Sequence, residues 1–312
     1  ISLSYGENKI EVFCLNSHNN SSLKQRLLID YLPDKKPPSA KHLVVISVSA
    51  YQDEKYNLRY AVKDGRDMAE LFGDRGAFVD TLFNQNATRT NILALKQKLM
   101  QTRVDDEVIL YISGHGLLDE NYDFYFAAYD MDFADPAKRG VLYDDLEGLL
   151  DGIPARKKLL LMDACHSGEV DKDQVVVNAS VADLGNNKRG DIKTYGYKGA
   201  TIEEEGSGLG LQNSFELMQE LFANLSRGSG AVVISAAAGT GYALESAEWN
   251  NGVFTYCIIN GLKNLAADAS GDKTVSVSEL KDYVSKEVER LTNGAQKPTS
   301  RRESLEFDWG VW

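Results

Sequence analysis

From residue 42 onward the apolar positions of the chain switch back and forth between two spacings. His42 to Ala50 is a nearly continuous apolar run of strand length. Leu58 to Phe72 then places apolar residues at 58, 61, 62, 68, 69 and 72, the spacing of one helix face. Phe78 to Phe83 reads as a strand and Thr88 to Gln101 as a helix. Ile109 to Ile112 is a second apolar run, followed by an aromatic hairpin around Tyr122 to Tyr129 and a helix over Tyr143 to Leu150. A third run, Leu159 to Met162, closes this block. Another block opens at Asn213, where Asn-x-x-Glu before Phe215, Met218, Phe222 and Leu225 has the form of a capping box. Ala231 to Ala236 predicts a further strand, and Gly252 to Leu265 and Val277 to Leu291 predict helices. Strands alternating with helices predict an α/β fold: a mostly parallel sheet flanked by helices on both faces.

The first residues differ. Residues 9 to 15 and 23 to 31 flank a polar turn of Asn and Ser and predict a short N-terminal β-hairpin. An isolated hairpin is marginal in water, so it either packs on the main domain or ends an immunoglobulin-like sandwich whose other strands lie upstream. Because the chain begins with Ile1 rather than Met, upstream regulatory domains are expected. The organisation is then residues 1–33 as hairpin segment, 34–41 as a Pro- and Lys-rich linker, 42–170 and 213–312 as the large and small parts of one main domain, and 171–212 between them. That intervening stretch lacks a sustained period and is rich in Gly, Asn, Lys and Glu, far longer than an ordinary loop, which marks it as functional or disordered.

Composition narrows the choices. The 312 residues are 43% hydrophobic, enough for one large core, and the net charge of −12 argues against nucleic acid or an anionic membrane as partner. A basic substrate segment is favoured instead. No apolar run reaches the length of a membrane span. Cys14, Cys165 and Cys257 are too scattered for a disulfide framework, and a working thiol points to a reducing, cytoplasmic setting. Phosphate-loop, dinucleotide-binding and zinc-spaced motifs are all absent.

Two of the apolar runs end in small-residue turns that each carry one reactive group: Ser113-Gly114-His115-Gly116, and fifty residues later Asp163-Ala164-Cys165-His166-Ser167-Gly168. Neighbouring parallel strands ending at one sheet edge would bring imidazole and thiol together, as cysteine-nucleophile catalysis requires. The two motifs together resemble the caspase-like clan of cysteine peptidases, and within it the metacaspases, paracaspases and prokaryotic orthocaspases, over roughly residues 41 to 310. The resemblance implies a cysteine endopeptidase with His115 as base, Cys165 as nucleophile, and the amides of Gly116 and Cys165 as oxyanion donors. It departs from the caspases at Asp163, where they have Gln. In metacaspase-like enzymes an Asp there and another in the first helix, here Asp64, line an acidic pocket for Arg or Lys. Ser235, on the strand that borders substrate, is a further candidate. The segment 171–212 matches the processing linker of such enzymes, with Lys188, Arg189, Lys193 and Lys198 as candidate self-cleavage positions. The competing class is a caspase-like scaffold that binds partners without catalysis.

No cofactor is required by this chemistry. Calcium has two candidate locations: Asp130, Asp144, Asp145 and Asp173, by resemblance to calcium-binding metacaspases, and Asp268, Asp272 and Glu279, which have EF-hand-like spacing. Lys273 stands where an EF-hand loop needs glycine, so a helix-cap region is the competing reading of the second.

Overall fold

The structure is a computed structural model that describes residues 2–17, 22–119, 121, 123–164, 196–197, 230–236, 243–300 and 308–312. The elements are β1 (Gly6–Val12), β2 (Gln25–Tyr31), β3 (Lys41–Ser47), α1 (Ala61–Gly73), β4 (Phe78–Phe83), α2 (Arg89–Leu99), β5 (Glu107–Gly114), β6 (Gly116–Leu118), β7 (Phe124–Phe126), β8 (Val141–Leu142), α3 (Tyr143–Leu150) and β9 (Lys157–Ala164). They continue with β10 (Gly196–Tyr197), β11 (Val232–Ser235), β12 (Leu244–Ser246), β13 (Asn251–Gly252), α4 (Val253–Lys263), α5 (Val277–Leu291) and β14 (Thr299–Ser300). The helix expected from Asn213 lies outside the described residues.

Six strands form the central sheet in the order β14-β11-β9-β5-β3-β4, all parallel except β14, which runs antiparallel to β11. This is the α/β class expected from the alternating periods. β5, at the centre, is buried along its whole length, and strands covered on both faces read as unbroken apolar runs. Residues of odd and even number on these strands enter opposite cores. Leu110, Ile112, Leu160 and Met162 face the layer of α2 and α3, where Ile92, Leu95, Leu146 and Leu149 meet them. Ile109, Tyr111, Leu159 and Leu161 face Met68 and Phe72 of α1, Phe254 and Ile258 of α4, and Leu280 and Val284 of α5. Each such buried side chain contributes up to about 1.5–3 kcal/mol.

Helix α1 starts at Ala61 rather than Leu58, and the amides just before it are satisfied from elsewhere in the fold: Leu58 donates to the Ser49 carbonyl, and Arg59 and Tyr60 donate to the Glu245 carboxylate. It lies close on β3. A Cβ at Gly65 would come 2.3 Å from Ser47 Oγ and 2.9 Å from Val45 Cγ1.

The N-terminal hairpin pairs β1 with β2 in antiparallel register. It meets the main domain at its base, where the Tyr5 amide donates to Asp105 and Arg156 donates to the Ser2 carbonyl. Val12, Leu27 and Leu28, farther out, are exposed.

Candidate active site

The site is built where β5 and β9 end together. Gly114 and Ala164 are register partners, the last pair of the β5–β9 ladder. His115 follows Gly114 directly, and Cys165 follows Ala164 in the sequence but lies outside the described residues. Glycine at 114 is required for the approach: a Cβ there would stand 2.9 Å from the Tyr51 hydroxyl and 3.1 Å from the Phe126 ring.

His115 is only 3% exposed, although it stands at a strand end. Its amide donates to the Tyr51 hydroxyl at 2.9 Å. The ring packs tilted against Tyr51 at 5.1 Å and edge-on to Phe133 at 5.7 Å and Tyr56 at 6.4 Å. Nε2 lies 2.7 Å from the Tyr56 carbonyl oxygen. A carbonyl only accepts, so Nε2 carries the proton, and in a neutral ring the basic lone pair is on Nδ1. A backbone carbonyl thus orients the imidazole, the part that a carboxylate plays in other nucleophile–histidine systems. Gly116 opens β6 opposite Phe126, which fixes the backbone next to the histidine.

Asp163 is the penultimate residue of β9 and is fully buried. Its Oδ2 accepts a hydrogen bond from Thr255 of α4. Asp64, in the first turn of α1, is also fully buried. Its Oδ1 accepts from Asn251 Nδ2 at 2.9 Å and from the Gly252 amide at 3.0 Å. Gly252 is the N-cap residue of α4 and Thr255 lies three residues on, so one helix N-terminus holds both aspartates. The partial positive charge of that end favours carboxylates.

A third carboxylate, Glu245, was not among the sequence candidates. It sits on β12 opposite Gly252, is 7% exposed, and accepts the Arg59 and Tyr60 amides at 3.3 Å each, just before α1. Its strand is three residues long, too short for a periodic signal. Ser235 is buried at the end of β11, in register with Met162 on one side and Thr299 on the other. Buried Gln296 ties this edge together, donating to the Ala236 carbonyl at 2.8 Å and accepting the Leu244 amide at 2.7 Å.

The other two cysteines have different surroundings. Cys14 is exposed on the hairpin segment. Cys257 is buried in α4, and burial pushes its thiol well above the usual range, so it holds its proton.

The two calcium candidates hold their carboxylates differently. Asp130 and Asp145 pair with Arg139 and Arg89, and Asp144 stands in the first turn of α3. Asp173 lies outside the described residues, as do Lys188, Arg189, Lys193 and Lys198. Asp268 accepts the Gly271, Asp272 and Lys273 amides, and Glu279 accepts those of Ser270 and Ser276. Lys273, at the position of the EF-hand glycine, adopts φ +70°, the left-handed conformation that glycine would take easily. Among the described residues no group of three or more His, Cys, Asp or Glu side chains could hold a metal ion. No helix among them is long and apolar enough to cross a membrane.

A mostly parallel sheet with the His115 turn beyond the carboxyl end of β5 puts the candidate site where open α/β sheets bind their ligands. A family model of the caspase domain, peptidase family C14, matches residues 40–308, and the chain belongs to that family. It therefore carries a caspase-like cysteine peptidase domain, whose substrates are proteins. The crystal structure of a protein from Geobacter sulfurreducens shares the fold, with a TM-score of 0.55 and 19% identity over 88% of this chain and 94% of that one. A comparison with curated proteins gives no match.

Proposed function

We propose that the chain is an endopeptidase that cleaves proteins after Arg or Lys with His115 and Cys165 as a dyad. The observation that carries this reading is the alignment of β5 with β9, whose last register pair, Gly114 and Ala164, immediately precedes the two reactive residues. The thiol proton passes to Nδ1 of His115, and the sulfur attacks the scissile carbonyl carbon. The developing oxyanion is met by the amides of Gly116 and Cys165. The imidazolium returns the proton to the departing amine, and water, activated by the same ring, hydrolyses the thioester. None of these steps needs a metal or cofactor, so calcium, if bound, acts on folding or regulation.

Specificity rests on Asp64 and Asp163. Two buried carboxylates repel each other, and a guanidinium or ammonium from the substrate relieves both. Glu245, hydrogen-bonded just ahead of α1, adds to the negative field. A basic linker residue among Lys188, Arg189, Lys193 and Lys198 would be cut by the same chemistry, which makes self-cleavage the route to activation.

The test is hydrolysis of fluorogenic peptides ending in Arg, Lys, Asp or Leu, with mass spectrometry of the chain in the same incubations. Cys165→Ala should abolish both peptide hydrolysis and linker cleavage, and His115→Ala should lower kcat by about 10² to 10⁴ or more. Turnover surviving Cys165→Ala would overturn the dyad, and faster cleavage after Asp than after Arg would overturn the pocket. A wild-type chain that cleaves nothing would return the reading to a binding scaffold.

A further inference from the structure

We infer that Thr255 and Tyr111 form a buried hydroxyl relay that sets the geometry of Asp163 for a cationic substrate side chain, so that both act as positioning residues for specificity. The inference rests on the reading of Asp163 as a pocket residue. Tyr111 lies on β5, on the same face of the sheet as Asp163 on β9, and Thr255 reaches both from the first turn of α4. All three are fully buried. The Thr255 hydroxyl has one proton and gives it to Asp163 Oδ2. Tyr111 Oη lies 2.5 Å from Thr255 Oγ1, and since the threonine proton is already committed to the carboxylate, the phenol is the donor in that contact.

The direction of this chain matters. Tyr111 donates to Thr255, and Thr255 donates to Asp163, so each bond polarises the next and strengthens the last one, to the carboxylate. Phenol and threonine are both anchored by packed elements, the phenol on the central strand and the threonine on a helix. Oδ2 is therefore pinned, and rotation of the carboxylate about its Cβ–Cγ bond is blocked. A guanidinium binds a carboxylate through two donors in a fixed fork, which makes affinity sensitive to that rotation. Packing alone asks nothing of Thr255 that valine, the same shape without the hydroxyl, would not supply.

The experiment compares Thr255→Val, Thr255→Ser and Tyr111→Phe with wild type on Arg-, Lys- and Leu-ending peptides, with Tm measured for each. Thr255→Val should raise KM for the Arg peptide about tenfold or more, as expected for loss of a hydrogen bond to a charged group, with kcat changed far less. Thr255→Ser should restore the wild-type KM, because it returns the hydroxyl without the methyl group. Tyr111→Phe should raise KM about two- to threefold, by weakening rather than removing the bond to Asp163. If Thr255→Val does not fold, the Tyr111→Phe shift and the normal behaviour of Thr255→Ser still decide the matter. A wild-type KM in both Thr255→Val and Tyr111→Phe, a Thr255→Ser variant as impaired as Thr255→Val, or a fall in kcat at constant KM would overturn the relay. A wild-type enzyme without preference for Arg or Lys would instead overturn the pocket on which it rests.

Discussion

Two helices of the same layer, α4 and α5, each gather carboxylates at their N-termini, and they do so in opposite surroundings. At α5 the acids are at the surface. Glu279 accepts the Ser276 amide and so completes a capping box, and Asp272 accepts the amide and hydroxyl of Thr274. These donors hold both acids below their ordinary range, led by the Thr274 hydroxyl for Asp272 and the Ser276 amide for Glu279. At α4 the acids are Asp64 and Asp163, both without solvent exposure and both brought from other elements. Burying a carboxylate costs several kcal/mol before any compensation. A cap needs no such cost, as α5 shows. Two buried acids at one helix end, on the sheet face and helix that the proposed pocket shares, are what the reading of a pocket for a basic side chain draws on.

The sharpest way to break the comparison is to neutralise one acid at each helix. Asp163→Asn, nearly isosteric, should lower kcat/KM for Arg peptides by about 2 to 4 kcal/mol, roughly 30- to 10³-fold, as for loss of one partner of a buried charge pair. Asp64→Asn should act in the same direction and more weakly, since the Gly252 amide still finds a side-chain oxygen. Asp268→Asn, in the loop before α5, should leave kcat/KM within about twofold, because its carboxylate is taken up by the Gly271, Asp272 and Lys273 amides. Equal losses from Asp163→Asn and Asp268→Asn would show that net charge, not a buried pocket, drives substrate preference.

Much of this layout was legible in the chain, and the parts that were not share a cause. β4, α3 and α5 fall where their periods predict because each is amphipathic or apolar over its whole length. The strand from His42 ends at Ser47 instead of Ala50 because the amides of Ser49 and Ala50 turn away to the Asn84 side chain. The paired strand-end motifs singled out His115, and the resemblance to metacaspase-like enzymes singled out Asp64 and Asp163. Neither could single out Tyr56, which contributes a carbonyl oxygen that every residue has, nor Glu245, on a strand three residues long. Tyr111 and Thr255 were hidden differently. Each fits an apolar pattern as a core residue, and only the register of β5 with β9 and the docking of α4 show that their hydroxyls meet. Local pattern reports which face a residue takes, not which polar atom it meets there.

A smaller effect should come from Gly65, next to Asp64 on α1. An added methyl would press on Ser47 and Val45 of β3, so Gly65→Ala should destabilise the domain by about 1–3 kcal/mol through overpacking, despite the better helix propensity of alanine. Moving α1 also moves Asp64, so KM for Arg peptides should rise while the Leu peptide is cleaved as before. Thermal unfolding and the peptide panel together check this, and a variant with a raised Tm would mean that α1 has room to shift and that the close approach is not holding Asp64 in place.

The smallest effect, and the one that tests the surface half of the comparison, is at the α5 cap. Ser276→Ala removes the N-cap acceptor and should cost about 1 kcal/mol of stability with kcat/KM unaltered. Acid should reveal the partner. The Ser276 amide and neighbouring donors hold Glu279 below its ordinary value in the folded chain, so its contribution is present above its unfolded pKa of about 4.3 and is lost as pH falls through and below that value. Glu279→Gln should therefore flatten part of the loss of stability between about pH 5 and 3 while leaving the neutral-pH Tm only slightly lower. Repeating the melts in calcium and in chelator decides what the loop is for. An identical Tm in both is expected of a cap whose carboxylates are already taken by backbone donors; a calcium-dependent rise abolished by Glu279→Gln would mean that the cation outcompetes those amides and that the loop after Asp268 is a metal site after all.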